Sequence, residues 1–426
     1  MLRITDVKAF TVQSNFEWGF IRIYAGDLYG TGETAGSPLA INNVIPYVRK
    51  LLIGEDALKR NRILEKLKYA FSYSGTTVYF IISAIDIALH DLIGKYLNIP
   101  VWRLIGGDRD EVRVYVDAHA SKSMEIVDAA LTEVFPDWIK QYGDKTRFET
   151  ERMSTLTEPM VGRISTQQWN KDYTPENYAE RAREIVNEGF TAVKFDLDIP
   201  TPYLKDYNSR SGQLSLKDID YLTSIVKAVR EAVGGDEIDL MFDLHWKFNI
   251  NTAAKICKAL EPYRPRWIED PTSAFSSLTL NMDEINLVTQ KCCVPIATGE
   301  NLFTYYQFKD LLKTGISIWT PDLTKAGGIT EGVKISELAS LFDIEISPHN
   351  IASPIGAMAA AHAMSVANTF GGVLEWHAHD LPFWNDIVKP KRRIIDRGFI
   401  RLTDEPGLGI DLDMDAMKKI WSDFEI

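Results

Sequence analysis

Three short apolar runs each finish on a carboxylate, and the intervals between them are nearly regular. Asp243 closes Leu240-Met241-Phe242-Asp243, Glu269 closes Trp267-Ile268-Glu269, and Glu300 follows Ile296-Ala297-Thr298-Gly299. Side chains at the ends of successive parallel strands stand side by side on one rim. Three carboxylates so placed repel one another and can all stay ionised only around a cation. Oxygen ligands with no nearby cysteine favour magnesium over zinc, one ion per subunit. A single acid at a strand end equally caps the next helix or faces solvent; three in successive units fit that explanation less well.

Further along, His349 ends the run Ile344-Glu345-Ile346-Ser347-Pro348, and Asp322 follows Trp319-Thr320-Pro321 on the preceding candidate strand. A carboxylate beside an imidazole fixes its tautomer and raises its basicity, the arrangement of a general base. His245 stands two residues after Asp243, so both can face one mouth. It is a candidate acid, although a structural loop histidine fits the same position. Lys194 and Asp196 alternate with Phe195 and so share a face, where they either touch substrate or form an ion pair at the rim. Glu375, at the end of the last such run, either binds substrate or is a solvated strand-end acid.

This chemistry needs a frame that gathers strand ends. Strand candidates lie at 113–117, 192–196, 238–243, 266–269, 295–299, 316–320, 343–347 and 372–375, with helix candidates at 175–187, 216–233, 252–260 and 328–342. Eight strands alternating with helices predict a (β/α)8-type barrel. Before it, residues 4–34 read as an antiparallel meander, and 78–97 as a helix whose Ile81, Ile82, Ile85, Ala88, Leu89 and Leu92 share one face. Residues 121–173, with Trp138 and Trp169, break the rhythm and read as an insertion over the catalytic face. The resulting division is a first unit over 1–112, a barrel over 113–376 and a returning tail over 377–426.

Composition narrows the function classes. The chain of 426 residues, 45% hydrophobic and 25% charged, has the balance of a soluble globular protein larger than one ordinary domain. Its formal net charge of -12, with no basic stripe, argues against a nucleic-acid partner. An anionic small substrate therefore needs a locally positive site. No apolar run is long enough for a bilayer, and the first residues lead into a strand-like stretch without the pattern of a leader. Cys257, Cys292 and Cys293 are an odd count without disulfide-framework or metal spacing, which predicts free thiols in a cytoplasmic setting.

The barrel residues occur with Ala84-Ile85-Asp86-Ile87-Ala88-Leu89, Gly94-Lys95, Leu104-Ile105-Gly106-Gly107 and Pro406-Gly407-Leu408-Gly409. With these the chain resembles the mandelate racemase-like branch of the enolase superfamily over nearly all its length outside 121–173. The resemblance implies an α+β capping domain, completed by the C-terminal tail, over a modified (β/α)7β barrel. It also implies Asp243, Glu269 and Glu300 as magnesium ligands and Asp322 with His349 as the base dyad. Racemases of this branch carry Lys-X-Lys where this chain has Lys194-Phe195-Asp196. Asp243-Leu244-His245 is similar instead to the galactonate, gluconate and mannonate dehydratases, whose histidine serves as acid.

That similarity implies dehydration of an aldonate such as gluconate or galactonate to a 2-keto-3-deoxy acid through an enediolate. His349 takes the α-proton, His245 protonates the departing hydroxyl, and Lys194 or Glu375 adds hydrogen bonds. A tyrosine of the loop after the second strand, Tyr203 or Tyr207, is an alternative base. Loops at 14–20, with Trp18, at 121–173 and at 376–384 are expected to read the sugar, alongside Asp196, Tyr203 and Glu375. A racemase or epimerase on the same scaffold, and a non-catalytic sugar-acid-binding homologue, are the rival readings. The expected assembly is a homo-oligomer without membrane contact.

Overall fold

The computed structural model describes residues 1–35, 38–73, 75–120, 173–204, 211–275, 280–366 and 372–421. Most of the expected insertion at 121–173, and Tyr207, lie outside these residues. The chain divides into two compact units: Met1–Arg113 with Glu300–Lys309 and Thr320–Ile426, and Val114–Gly299 with Asp310–Trp319.

The first unit opens with the expected meander, β1 (Asp6–Gln13), β2 (Glu17–Ala25) and β3 (Leu28–Ala35), paired antiparallel in that order. Helices α1 (Pro38–Leu52), α2 (Arg60–Ala70), α3 (Thr77–Leu97) and α4 (Val101–Leu104) follow. Ile21 and Ile23 of the meander and Ile81, Ile85, Leu89 and Leu92 of α3 share one buried core. The contact between β3 and α3 is backbone against backbone. A methyl group at Gly32 would overlap the Ala84 carbonyl and the Ala88 amide, and one at Gly30 the Ala88 carbonyl and the Leu92 amide. Only hydrogen fits at either position.

The second unit is built on six strands paired in parallel in chain order, the first of which starts within the last residues of the stretch Met1–Arg113. They are β4 (Glu111–Ala118), β5 (Ala192–Asp196), β6 (Asp239–Asp243), β7 (Trp267–Glu269), β8 (Ile296–Thr298) and β9 (Ile318–Trp319). Each lies within two residues of its expected span. Between them run α5 (Pro175–Asn187), α6 (Leu216–Val233), α7 (Ile250–Leu260) and α8 (Met282–Lys291). Local signals fix the helix starts: Thr174 caps α5 ahead of Pro175, Ser215 and Asp218 form a reciprocal capping box on α6, and Asn249 caps α7. α6 stops at Gly234, whose φ of 79° is costly for a side chain and free for glycine.

One expectation fails in this unit. Cys257 and Cys292 form a disulfide, whereas the sequence predicts free thiols; only Cys293 stays free among the described residues. Cys257 sits on the buried face of α7 and Cys292 caps the end of α8, with Cα atoms 5.4 Å apart. Spacing along the chain carries no sign of that proximity.

The rest of the first unit comprises α9 (Thr304–Leu311), which crosses into the second at its end, α10 (Gly328–Ser340), β10 (Glu345–Ile346), α11 (Pro354–Met364) and β11 (Leu374–Trp376). Short strands then return along the tail, with Ile400 of the tail paired to Val112. Every residue of α11 is buried, which explains why its sequence is apolar on all faces. No helix among the described residues is long and apolar enough to cross a membrane.

The β3–α3 contact yields a first test. Gly32→Ala has to push strand and helix apart, and overpacking of this kind costs about 3 kcal/mol. Urea unfolding should show that loss; an unchanged midpoint would mean that α3 can shift away.

Candidate active site

In the second unit the strand register sets three acids abreast. Asp196 pairs with Asp243 across β5 and β6, and Asp243 with Glu269 across β6 and β7, each the last residue of its strand. Lys194, two residues before Asp196 on the same face, is 1% exposed. Its ammonium lies 3.2 Å from Asp243 Oδ2 and 3.2 Å from Glu269 Oε2. Trp267 Nε1 donates to the same Glu269 oxygen at 3.0 Å. Lys194 is thus held between two metal-ligand candidates rather than at a rim.

His245 occupies the turn after β6 with a φ of 39°, a left-handed conformation uncommon outside glycine and asparagine. Its amide donates to Asp243 Oδ1 at 2.9 Å, its Nδ1 is 3.1 Å from Asp198 Oδ1, and its Nε2 is 3.8 Å from Asp243 Oδ2. Burial would lower its basicity, but the charges of Asp243, Asp196 and Asp198 outweigh burial and raise its pKa well above the usual value. Burial likewise pushes the Asp243 carboxyl up, yet His245 and Lys194 hold it at about 2. Asp196 goes the other way, to about 6, because burial and the Asp198 charge prevail over His245 and His119. Asp198 and His119 were not singled out from the sequence. For Asp198 the signal was there, in the alternation Lys194, Asp196, Asp198 carried one step past the strand.

A second group lies wholly in the first unit. His349 Nδ1 is 2.7 Å from Asp322 Oδ2, and Nε2 is 3.3 Å from Glu300 Oε2 and 3.9 Å from Glu375 Oε1. A proton on Nδ1, donated to Asp322, leaves the Nε2 lone pair to act as base. Asp322 is fixed in turn: its Oδ1 accepts from the Thr324 amide at 2.8 Å and hydroxyl at 2.6 Å, and Lys325 Nζ stands 3.4 Å from Oδ2. Burial would raise the Asp322 carboxyl; Lys325 and His349 bring it down to about 2. Burial also lowers the basicity of His349, and Glu300 and Glu375 more than restore it. Lys325, buried three residues after Asp322, escaped the sequence reading. Glu300 itself directly follows Gly299 at the end of β8, the strand paired with β7.

The remaining candidates fall elsewhere. Trp18 is not a loop residue but lies within β2, fully buried, its Nε1 donating to the Ile351 carbonyl at 3.2 Å and its ring edge-on to Trp421. Its indole is packed inside the first unit. Tyr203 is 52% exposed with its ring edge-on to Tyr221. The expected loops at 14–20 and 376–384 do meet, with Asn15 Nδ2 3.1 Å from His377 Nδ1 and the Phe16 ring against the His377 ring.

Comparison with known proteins identifies the family. Residues 5–106 match the family model described as the mandelate racemase / muconate lactonizing enzyme N-terminal domain, and residues 177–416 the model described as enolase C-terminal domain-like. The chain belongs to this family. A D-xylonate dehydratase of Haloferax volcanii is 35% identical over 97% of this chain and 88% of its own length. A mandelate racemase/muconate lactonizing enzyme-like protein from Rubrobacter xylanophilus superposes with a TM-score of 0.83 at 32% identity, covering 98% of this chain and 97% of that one. A mandelate racemase/muconate lactonizing enzyme from Jannaschia sp. CCS1 gives 0.75 at 28% identity, covering 98% and 97%. The fold is accordingly that of the enolase superfamily, an N-terminal capping domain with a C-terminal α/β barrel. Members of the superfamily bind a divalent metal, and acidic side chains gathered at the strand ends here could hold one.

The Asp322 environment makes a pH prediction. A carboxyl held at about 2 when folded and near 3.9 when unfolded adds stability above pH 4, and that stability is lost as pH falls towards 2. The loss attributable to Asp322 is about 2 kcal/mol. Urea unfolding between pH 4 and pH 2 should therefore show a steeper decline in the parent than in Asp322→Asn; parallel curves would contradict the assignment.

Proposed function

We propose that the protein removes water from an aldonate, giving a 2-keto-3-deoxy acid, with His349 as base, His245 as acid and Mg2+ held by Asp243, Glu269 and Glu300. The observation that carries this reading is the environment of His245. Its Nδ1 lies 3.1 Å from Asp198 and its Nε2 3.8 Å from Asp243, a ring of carboxylates that favours the protonated imidazole where a proton donor for a leaving hydroxyl is required.

The acids proposed as ligands fit the metal by their chemistry. They are hard oxygen donors, and the Lys194 ammonium between Asp243 and Glu269 demonstrates that this pair accommodates positive charge. When bound, Mg2+ supplies the positive charge that makes a proton beside a carboxylate acidic enough to remove. The protein's own groups do the rest. His349 accepts the α-proton on Nε2 while Asp322 holds Nδ1. His245 passes its proton to the departing β-hydroxyl, and the resulting enol becomes the keto acid. Lys194 or Glu375 adds hydrogen bonds at the substrate carboxylate. The Lys194 ammonium is engaged by two carboxylates, which argues against its service as the second base of a racemase.

The H. volcanii relative makes D-xylonate the first substrate to try, ahead of gluconate and galactonate. The protein is a carbon–oxygen lyase in this account. With Mg2+ it should convert one of these aldonates to a 2-keto-3-deoxy acid, lose that activity on chelation and regain it on adding Mg2+. Full turnover after exhaustive chelation would remove the metal from the mechanism.

Isotope exchange separates the two histidines. His349→Asn should abolish both dehydration and exchange of the α-proton with deuterated water. His245→Asn should slow dehydration by about a hundredfold or more, the usual general-acid contribution, while exchange persists. Robust exchange in the His349 variant would pass the role of base to another group, such as Tyr203.

A further inference from the structure

The stretch 347–353, which carries His349, belongs to no helix or strand, yet it is buried: Ile351 is 7%, Ala352 1% and Ser353 0% exposed. Backbone groups in such a segment need partners. Three come from side chains distant in sequence, all within the first unit. Trp18 Nε1 of β2 donates to the Ile351 carbonyl at 3.2 Å. Trp384 Nε1 of the tail donates to the Ala352 carbonyl at 3.4 Å. Glu33 of β3 accepts from the Ser353 amide at 2.8 Å, from the Ser353 hydroxyl, and from the Gly356 amide at 2.8 Å.

We propose that Glu33, Trp18 and Trp384 are positioning residues for the base, holding the backbone just after His349 so that its imidazole stays in line with Asp322. The proposal rests on the reading of His349 as base.

Two further observations join this clamp to the dyad. A methyl group at Gly356 would overlap Ala352 Cβ and lie 2.9 Å from the Thr324 methyl and 3.2 Å from Glu33 Oε2, so Ala352, Thr324 and Glu33 crowd one face of the first turn of α11. Thr324 is the residue whose amide and hydroxyl fix Asp322. Glu33 therefore bears on both members of the pair: on His349 through Ser353, and on Asp322 through Gly356 and Thr324. The carboxylate is also expensive to keep there. Burial pushes it up to about 7 against the hydrogen bonds from Ser353 and Gly356. A neutral side chain would fill the same space at lower cost, but would not accept three donors.

The test uses the full-length protein in two variants. Glu33→Gln places an amide where donors converge, and Trp18→Phe keeps an aromatic ring but deletes the donor to Ile351. Histidine nitrogen spectra of the substrate-free protein, with the His349 signals assigned by their loss in His349→Asn, report directly on the imidazole. Both variants should shift the Nδ1 and Nε2 resonances of His349 and weaken the Nδ1 proton signal. With the aldonate that the parent turns over, kcat should fall roughly tenfold or more while KM stays within about twofold, as expected when a reacting group is misaligned. If Glu33→Gln does not fold, Trp18→Phe decides. Unchanged His349 resonances in a folded variant would overturn the positioning role. Shifted resonances in a protein that turns over no aldonate would leave the positioning intact and count against the proposed reaction instead.

Discussion

Buried negative charge is the constraint on which this molecule is organised. Asp243, Glu269, Asp322 and Glu375 are each 1% exposed or less, and Glu300 is 7% exposed. An ionised carboxylate out of water is strongly unfavourable unless positive charge or donors meet it. The second unit meets it with Lys194 and His245, and the first with His349 and Lys325. Each cation touches at least one acid, and the most central ones touch two. In this arrangement the surrounding acids raise the basicity of His245 and His349, and the cations hold Asp243 and Asp322 ionised, so the charge of each group is set by its neighbours rather than by residue type.

The fold supplies the rigidity that such crowding demands. Parallel pairing fixes Asp196, Asp243 and Glu269 abreast, because a slip of one residue would turn each side chain to the opposite face. Capped helices behind the strands keep that register. In the first unit β3 lies directly on α3 at Gly30 and Gly32, where the backbones are too close for a side chain to fit. Glu33 stands next to Gly32 on that strand, so the backbone contact also anchors the clamp on the segment bearing His349.

Much of this was legible in the sequence, for a physical reason. A parallel strand buried on both sides is a short apolar run, and a polar residue that ends it stands out; Asp243 and Glu269 are placed at strand ends in that way, and the pairing of Asp322 with His349 nearly so. Helix starts were readable where a capping residue precedes the apolar period, as at Thr174 and Ser215. What failed to show depends on distance in space. The sequence places Lys194 on the right face but not between Asp243 and Glu269, since nothing in β5 encodes how far a four-carbon stem reaches. Lys325 looks like any surface lysine until the turn after Asp322 buries it. Trp18 reads as a loop aromatic, whereas it lies within β2 with the carbonyl of Ile351, 333 residues away, as its partner. The joining of Cys257 to Cys292 is of the same kind, a product of how two helices lie together.

The clamp on residues 351–353 also says when the molecule can be finished. The bond from Ser353 to Glu33 spans 320 residues and that from Ile351 to Trp18 spans 333. At about 5–20 residues per second, ribosomal synthesis leaves Glu33 and Trp18 without these partners for roughly a quarter of a minute or longer. During that interval β2 and β3 can pair with each other, but a carboxylate destined for burial remains in water and an indole lacks its acceptor. The N-terminal meander therefore cannot complete its packing as it emerges. It has to wait for nearly the whole chain, and the segment that carries His349 is laid down in the same late step that closes the first unit.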